Sequence, residues 1–234
     1  MISNSIIQNP FKKKLRLLIR YFFLSLLIKI AATIIIIISE SLIFNGPIPL
    51  FQNQLYLTDK YELYFSISLL VLIFPVLEEF AFRGWFSENK FLTSISLTIL
   101  LFYFLYVMLI IALPKVIPLE RIYRFSLLYA VLPFGFYFFH RNFLKIRRVI
   151  ELKHTWLIIF SIISFSCIHS FNYKIADFNE KSILALIIIL LPYPFSAYLY
   201  IHVRIKNGLA WSIALHILDN SIVLIPALLL GKKI

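Results

Sequence analysis

The chain has 234 residues, 61% of them apolar and 15% charged, with a mean hydropathy of +0.90; a soluble domain carries about 45–50% apolar and about 25% charged residues. Such an excess does not fit in one core, and the apolar content, 5 glycines and single cysteine exclude a disordered chain, a collagen-like repeat and a disulfide scaffold. The net charge of +12, from 23 Lys and Arg against 11 Asp and Glu, does not argue for nucleic acid, because the basic residues sit between apolar stretches, where membrane topology needs them.

Apolar runs of about 20 residues predict an all-α fold: a polytopic transmembrane helical bundle, multi-pass in the cell membrane, forming one domain over 1–234. Seven spans are expected, over roughly 18–44, 62–90, 91–113, 121–140, 154–171, 182–203 and 207–230. The first run is too long for the apolar core of a signal peptide, and no small-residue cleavage site closes it. With a cytoplasmic N-terminus, 14 Lys and Arg at span ends fall inside, against 8 outside (Lys60, Lys115, Arg121, Arg124, Lys174, Lys181, Lys232 and Lys233), so the N-terminus is read as inside. Cys167, within an apolar run, carries no redox argument.

A charge near the centre of a span costs about 2.5–3.5 kcal/mol on insertion scales and usually marks function. In the first run Lys29 and Glu40 are eleven residues apart, too far to pair, and Lys29 is expected to snorkel or to lie before the span begins. In the second run Pro75 removes a backbone donor and kinks the helix three residues before Glu78. In a membrane this is tolerated where a neighbouring helix or water satisfies the freed carbonyl. Glu79 and Arg83, four apart, share a face and can pair. Glu78 is turned about 100° from them, and a carboxylate in low dielectric suits a general base. The plainer reading has both glutamates ending the span at the cytoplasmic surface.

In the fifth run Phe165 and His169 share a face, with Asn172 just beyond; a histidine near a span end is more often interfacial. In the last run His216 and Asn220 share a face deep among apolar residues, with Asp219 beside them. Interhelical hydrogen bonding is the structural alternative there. His140, His154 and His202 fall at span ends and are expected to be interfacial. At about 1.5 Å per residue, Glu78, His169 and His216 lie roughly 18, 22 and 15 Å from span ends near Lys90, His154 and Lys206. These depths are compatible, provided the second span runs on past Arg83.

Glu-Glu-x-x-x-Arg (Glu78, Glu79, Arg83, then Gly84), Phe-x-x-x-His (Phe165, His169) and His-x-x-x-Asn (His216, Asn220), in this order and each on an apolar run, resemble the CPBP family, the Abi or type II CAAX-protease family of intramembrane metalloproteases. Asn207, Gly208 and Leu209 also look like the family, and the similarity covers roughly 66–92 and 155–225. Members usually carry the first two motifs on consecutive helices. Here Glu78 and His169 are 91 residues apart (169 − 78), with two additional apolar runs between them. An even number of inserted spans keeps the relative orientation of the motif helices.

The resemblance implies an endopeptidase that cleaves a peptide bond in or near the bilayer. Glu78 and His169 would activate water, His216 and Asn220 would stabilise the oxyanion, and Glu79 and Arg83 would brace the site. No cofactor is required by that mechanism. The alternative it carries is zinc held by Glu78, His169 and His216, although no His-Glu-x-x-His supports zinc from local spacing. The expected partners are membrane lipids and a peptide or protein with a membrane-associated segment, in peptide processing or bacteriocin self-immunity, and not nucleic acid. The rival readings are a non-catalytic membrane binding or immunity protein on the same fold, and a proton-coupled transporter.

Overall fold

The computed structural model describes residues 10–44, 50–52, 65, 67–106, 121–170, 173–175 and 179–229. Parts of the expected spans (62–64, 66, 107–113, 171 and 230), Asn172, and Lys60, Lys115, Lys232 and Lys233 lie outside the described residues.

Helix fills most of the described part of every apolar run. The elements are α1 (Pro10–Ser39) with a π-helical extension (Glu40–Phe44), β1 (Leu50–Gln52), a π-helical segment (Ser68–Ile73) leading into α2 (Phe74–Arg83), a 3-10 turn (Gly84–Phe86), α3 (Lys90–Tyr106), α4 (Arg121–Arg141), α5 (Phe143–Leu152), α6 (His154–Ser170), β2 (Tyr173–Ile175), α7 (Glu180–Leu190), α8 (Pro192–Asn207) and α9 (Leu209–Leu229). The described residues are thus all-α apart from one three-residue antiparallel ladder, Leu50 opposite Ile175 and Gln52 opposite Tyr173.

By length and composition, two described helical stretches can cross a membrane, Pro10–Phe44 and Glu180–Asn207. A third is counted if α5 and α6, bent by 93° at their junction, form one broken span. Lys90–Tyr106 and Leu209–Leu224 are apolar but shorter. Much of the aliphatic surface of α1 is exposed, including Leu27, Ile30, Ile34 and Ile37, which suits contact with lipid.

The chain packs as two compact units, one formed by Met1–Pro75 with Phe165–Ile234 and the other by Val76–Ser164. In the first, α8 and α9 form an antiparallel pair against α1. Their tight connection turns at Gly208, whose φ of 103° lies in the left-handed region that favours glycine. Asn207 Nδ2 donates to the Lys14 carbonyl at 3.1 Å and ties this corner to α1. Asn179 caps α7 by accepting the Ser182 N–H at 2.9 Å.

In the second unit, small polar residues of α3 (Thr93, Ser94, Ser96 and Thr98) are buried and let neighbouring backbones approach closely. A Cβ on Gly84 would lie 2.0 Å from Ser96 Oγ and 3.0 Å from Ser96 Cβ, so a larger residue fits where the 3-10 turn meets α3 only if Ser96 shifts. The regular helix of the second expected span therefore ends at Arg83 and tightens through Phe86, rather than running to residue 90. The tightening withdraws the i+4 donor from the Phe82 carbonyl, which accepts Ser161 Oγ of α6 at 2.7 Å. Arg147 of α5 holds the following loop through the Ser87 carbonyl and the carboxylate of Glu88.

Candidate functional site

In the first unit the last turns of α6 place Phe165 and His169 on one face, and Phe165, 1% exposed, becomes the hub of a ring cluster. The His169 ring lies 4.4 Å from it, the His216 ring of α9 5.8 Å at 69°, and the Tyr200 ring of α8 6.2 Å at 90°. Two imidazoles from separate helices thus converge on one phenyl ring. Each also carries a tyrosine from α8: Tyr193 lies 4.3 Å from His169, and Tyr200 stacks on His216 at 4.5 Å and 21°. Tyr193 and Tyr200 are seven residues apart, two helical turns, so one face of α8 serves both imidazoles. Tyr173 of β2 reaches the Tyr193 hydroxyl at 3.4 Å.

His169 Nδ1 lies 2.7 Å from the Phe165 carbonyl oxygen. A carbonyl only accepts, so Nδ1 bears the hydrogen of this contact.

Asn220 Nδ2 donates to the Leu70 carbonyl at 3.1 Å. In this π-helical stretch the Phe74 N–H reaches back five residues to the Leu69 carbonyl. By the same register the donor for Leu70 would be residue 75, which is proline and has no N–H. Asn220, from a neighbouring helix, fills the acceptor that Pro75 leaves open.

Lys29 differs from its expected snorkelling. Its Nζ lies 3.4 Å from Asp219 Oδ2 and donates to the Asp219 carbonyl at 3.1 Å. The Asp219 carboxylate also accepts from Ser25 Oγ (2.5 Å) and Tyr200 OH (2.6 Å), and Ser212 Oγ donates to the Tyr200 carbonyl at 2.9 Å. Tyr200 therefore links the Lys29–Asp219 ion pair to the ring stacked on His216. Sequence reasoning missed Ser25, Tyr193 and Tyr200. The seven-residue spacing of the two tyrosines was the available signal, but it names no partner.

In the second unit Glu79 and Arg83, both fully buried, form a salt bridge of 2.5 Å between Oε1 and Nη1. Their burial departs from the reading in which the two glutamates end a span at the surface. Glu78 is half-buried. Glu78, Glu79 and Arg83 belong to the second unit, and His169, His216 and Asn220 to the first. Among the described residues, no three His, Cys, Asp or Glu side chains are grouped as a metal site needs. No family model, no curated protein and no solved structure matches this chain.

Proposed function

We propose that this chain is an intramembrane endopeptidase of the CPBP type, with seven spans and a cytoplasmic N-terminus. The observation that carries the reading is the convergence of His169 and His216 on Phe165, with His169 Nδ1 held by the Phe165 carbonyl. The fully buried Glu79–Arg83 pair beside Glu78 supports it as a brace.

In the proposed reaction a general base takes a proton from water, the role proposed for His169 and, by the resemblance, for Glu78, and the resulting hydroxide adds to the carbonyl carbon of the scissile peptide. His216 and the second N–H of Asn220 stabilise the oxyanion, and the proton passes to the departing amine. Zinc in a catalytic site takes three protein ligands and a water; with no such set grouped among the described residues, no step is routed through a metal.

The test is cleavage of a membrane-inserted peptide by purified full-length protein in liposomes. Glu78→Ala and His169→Ala are each expected to lower turnover roughly 10²–10⁴-fold with thermal stability retained. Unchanged cleavage by both variants overturns the reading. A cellular phenotype that survives Glu78→Ala at normal expression would favour a non-catalytic binding or immunity protein.

A second reading, a proton-coupled transporter, draws on the Lys29–Asp219 pair, since ionisable pairs among apolar helices mark proton paths. It requires proton flux into liposomes that Asp219→Asn abolishes; absence of such flux removes it.

A further inference from the structure

Helix α5 carries Arg141 just before it, Lys145, Arg147 and Arg148 within it, and Lys153 just after it, against a single acidic residue, Glu151. Arg147 is committed inward, to the Ser87 carbonyl, Glu88 and Glu151. Ile150, 4% exposed, also faces inward. Arg141, Lys145, Arg148 and Lys153 are exposed.

What lies between those basic residues is unusual for a water-facing surface. Leu144 is 81% exposed, Leu152 73% and Trp156, in the first turn of α6, 70%. Within α5, Leu144, Arg148 and Leu152 follow one another at four-residue steps and Lys145 and Val149 form the adjacent row, while Lys153 sits at the bend and Trp156 just beyond it. Aliphatic and basic side chains alternate along one outward face. Water solvates only the charges of such a face, and a protein core would accept only the leucines. A membrane–water interface satisfies both: the leucines and the indole enter the acyl boundary, while the basic stems reach up to phosphate. The 93° bend between α5 and α6 lays α5 along the membrane plane if α6 enters the bilayer.

We propose that the outward face of α5 is a docking surface for anionic phospholipid headgroups, built by Lys145, Arg148 and Lys153 with Leu144, Leu152 and Trp156 as its apolar anchors. Charge complementarity selects this occupant, and the basic-residue count assigns it to the cytoplasmic leaflet. The inference does not depend on proteolysis, since none of these residues belongs to the proposed catalytic set.

The test uses full-length protein in detergent micelles, with phosphatidylglycerol and phosphatidylcholine occupancy read by native mass spectrometry. The triple variant Lys145→Gln, Arg148→Gln, Lys153→Gln is compared with Lys12→Gln, Lys13→Gln, Arg16→Gln, which removes the same charge from an exposed stretch of α1. At about 1 kcal/mol per basic residue near an anionic surface, the α5 variant is expected to lose its preference for phosphatidylglycerol by roughly tenfold or more, and the α1 variant to keep it. In vesicles of the two lipids, acyl-brominated phosphatidylglycerol is expected to quench a fluorescence component that Trp156→Phe removes. Equal losses in both triple variants, a preference that survives the α5 changes, or no Trp156 quenching would each overturn the proposal. An acidic peptide that binds the wild type more tightly than phosphatidylglycerol does would overturn it in favour of a protein partner.

Discussion

Lys29 Nζ and Asp219 Oδ2 lie 3.4 Å apart although 190 residues separate them, and the pair joins α1 to α9. Breaking a buried ion pair from one side strands the other charge at a cost of roughly 3–5 kcal/mol; the part-exposed ammonium of Lys29 favours the lower end. Asp219 also serves Ser25 and Tyr200, so Asp219→Ala removes the acceptor for three donors at once. Its melting temperature in detergent is expected to fall by on the order of 10 °C. Asp219→Asn, which retains an acceptor oxygen, should lose less; equal melting temperatures for wild type and Asp219→Ala would show that the pair contributes nothing.

The Asn220–Leu70 bond exists because Pro75 has no N–H to offer. Asn220→Ala should destabilise the protein by about 1–3 kcal/mol, the cost of a stranded buried acceptor. Pro75→Ala supplies an N–H in the register that reaches the Leu70 carbonyl. The double variant should therefore be more stable than the sum of the two single changes predicts, by roughly 0.5–3 kcal/mol in a double-mutant cycle. Strict additivity would mean that Asn220 does not act through Leu70.

Tyr200 holds His216 by ring stacking and Asp219 by its hydroxyl, and two substitutions separate these contacts. Tyr200→Phe keeps the ring and should cost stability, about 1.5–3 kcal/mol for a hydrogen bond to a charged group, and for the proposed endopeptidase it should change cleavage only a few-fold. Tyr200→Leu removes both, and kcat is expected to fall further with KM little changed, because His216 loses the surface that orients it. If the two variants show the same kcat, Tyr200 does not position His216.

Gly84 stands where any Cβ meets Ser96 Oγ, and the turn that closes α2 depends on that approach. Gly84→Ala should destabilise the second unit by roughly 1–3 kcal/mol, the usual cost of overpacking. Ser96→Ala in the same chain should recover part of the loss, since the remaining contact is the Ser96 Cβ at 3.0 Å. Thermal melts of the single and double variants measure it, and an unperturbed Gly84→Ala would refute the close packing.

Composition and periodicity determined by themselves that the chain is helical and membrane-associated, because 61% apolar residues in long runs admit little else. They also picked out polar residues at helical spacing, Glu79 and Arg83 one turn apart and His216 and Asn220 deep in an apolar run. Local spacing is fixed by the helix, so contacts within one helix were legible. Contacts between helices were not, because they depend on how each helix rotates and slides against its neighbours. Only tertiary structure brought Lys29 to Asp219, Tyr193 and Tyr200 to the two histidines, and Asn220 to the carbonyl that Pro75 leaves open. Nothing in the spacing of one segment encodes the face that a distant segment will present to it.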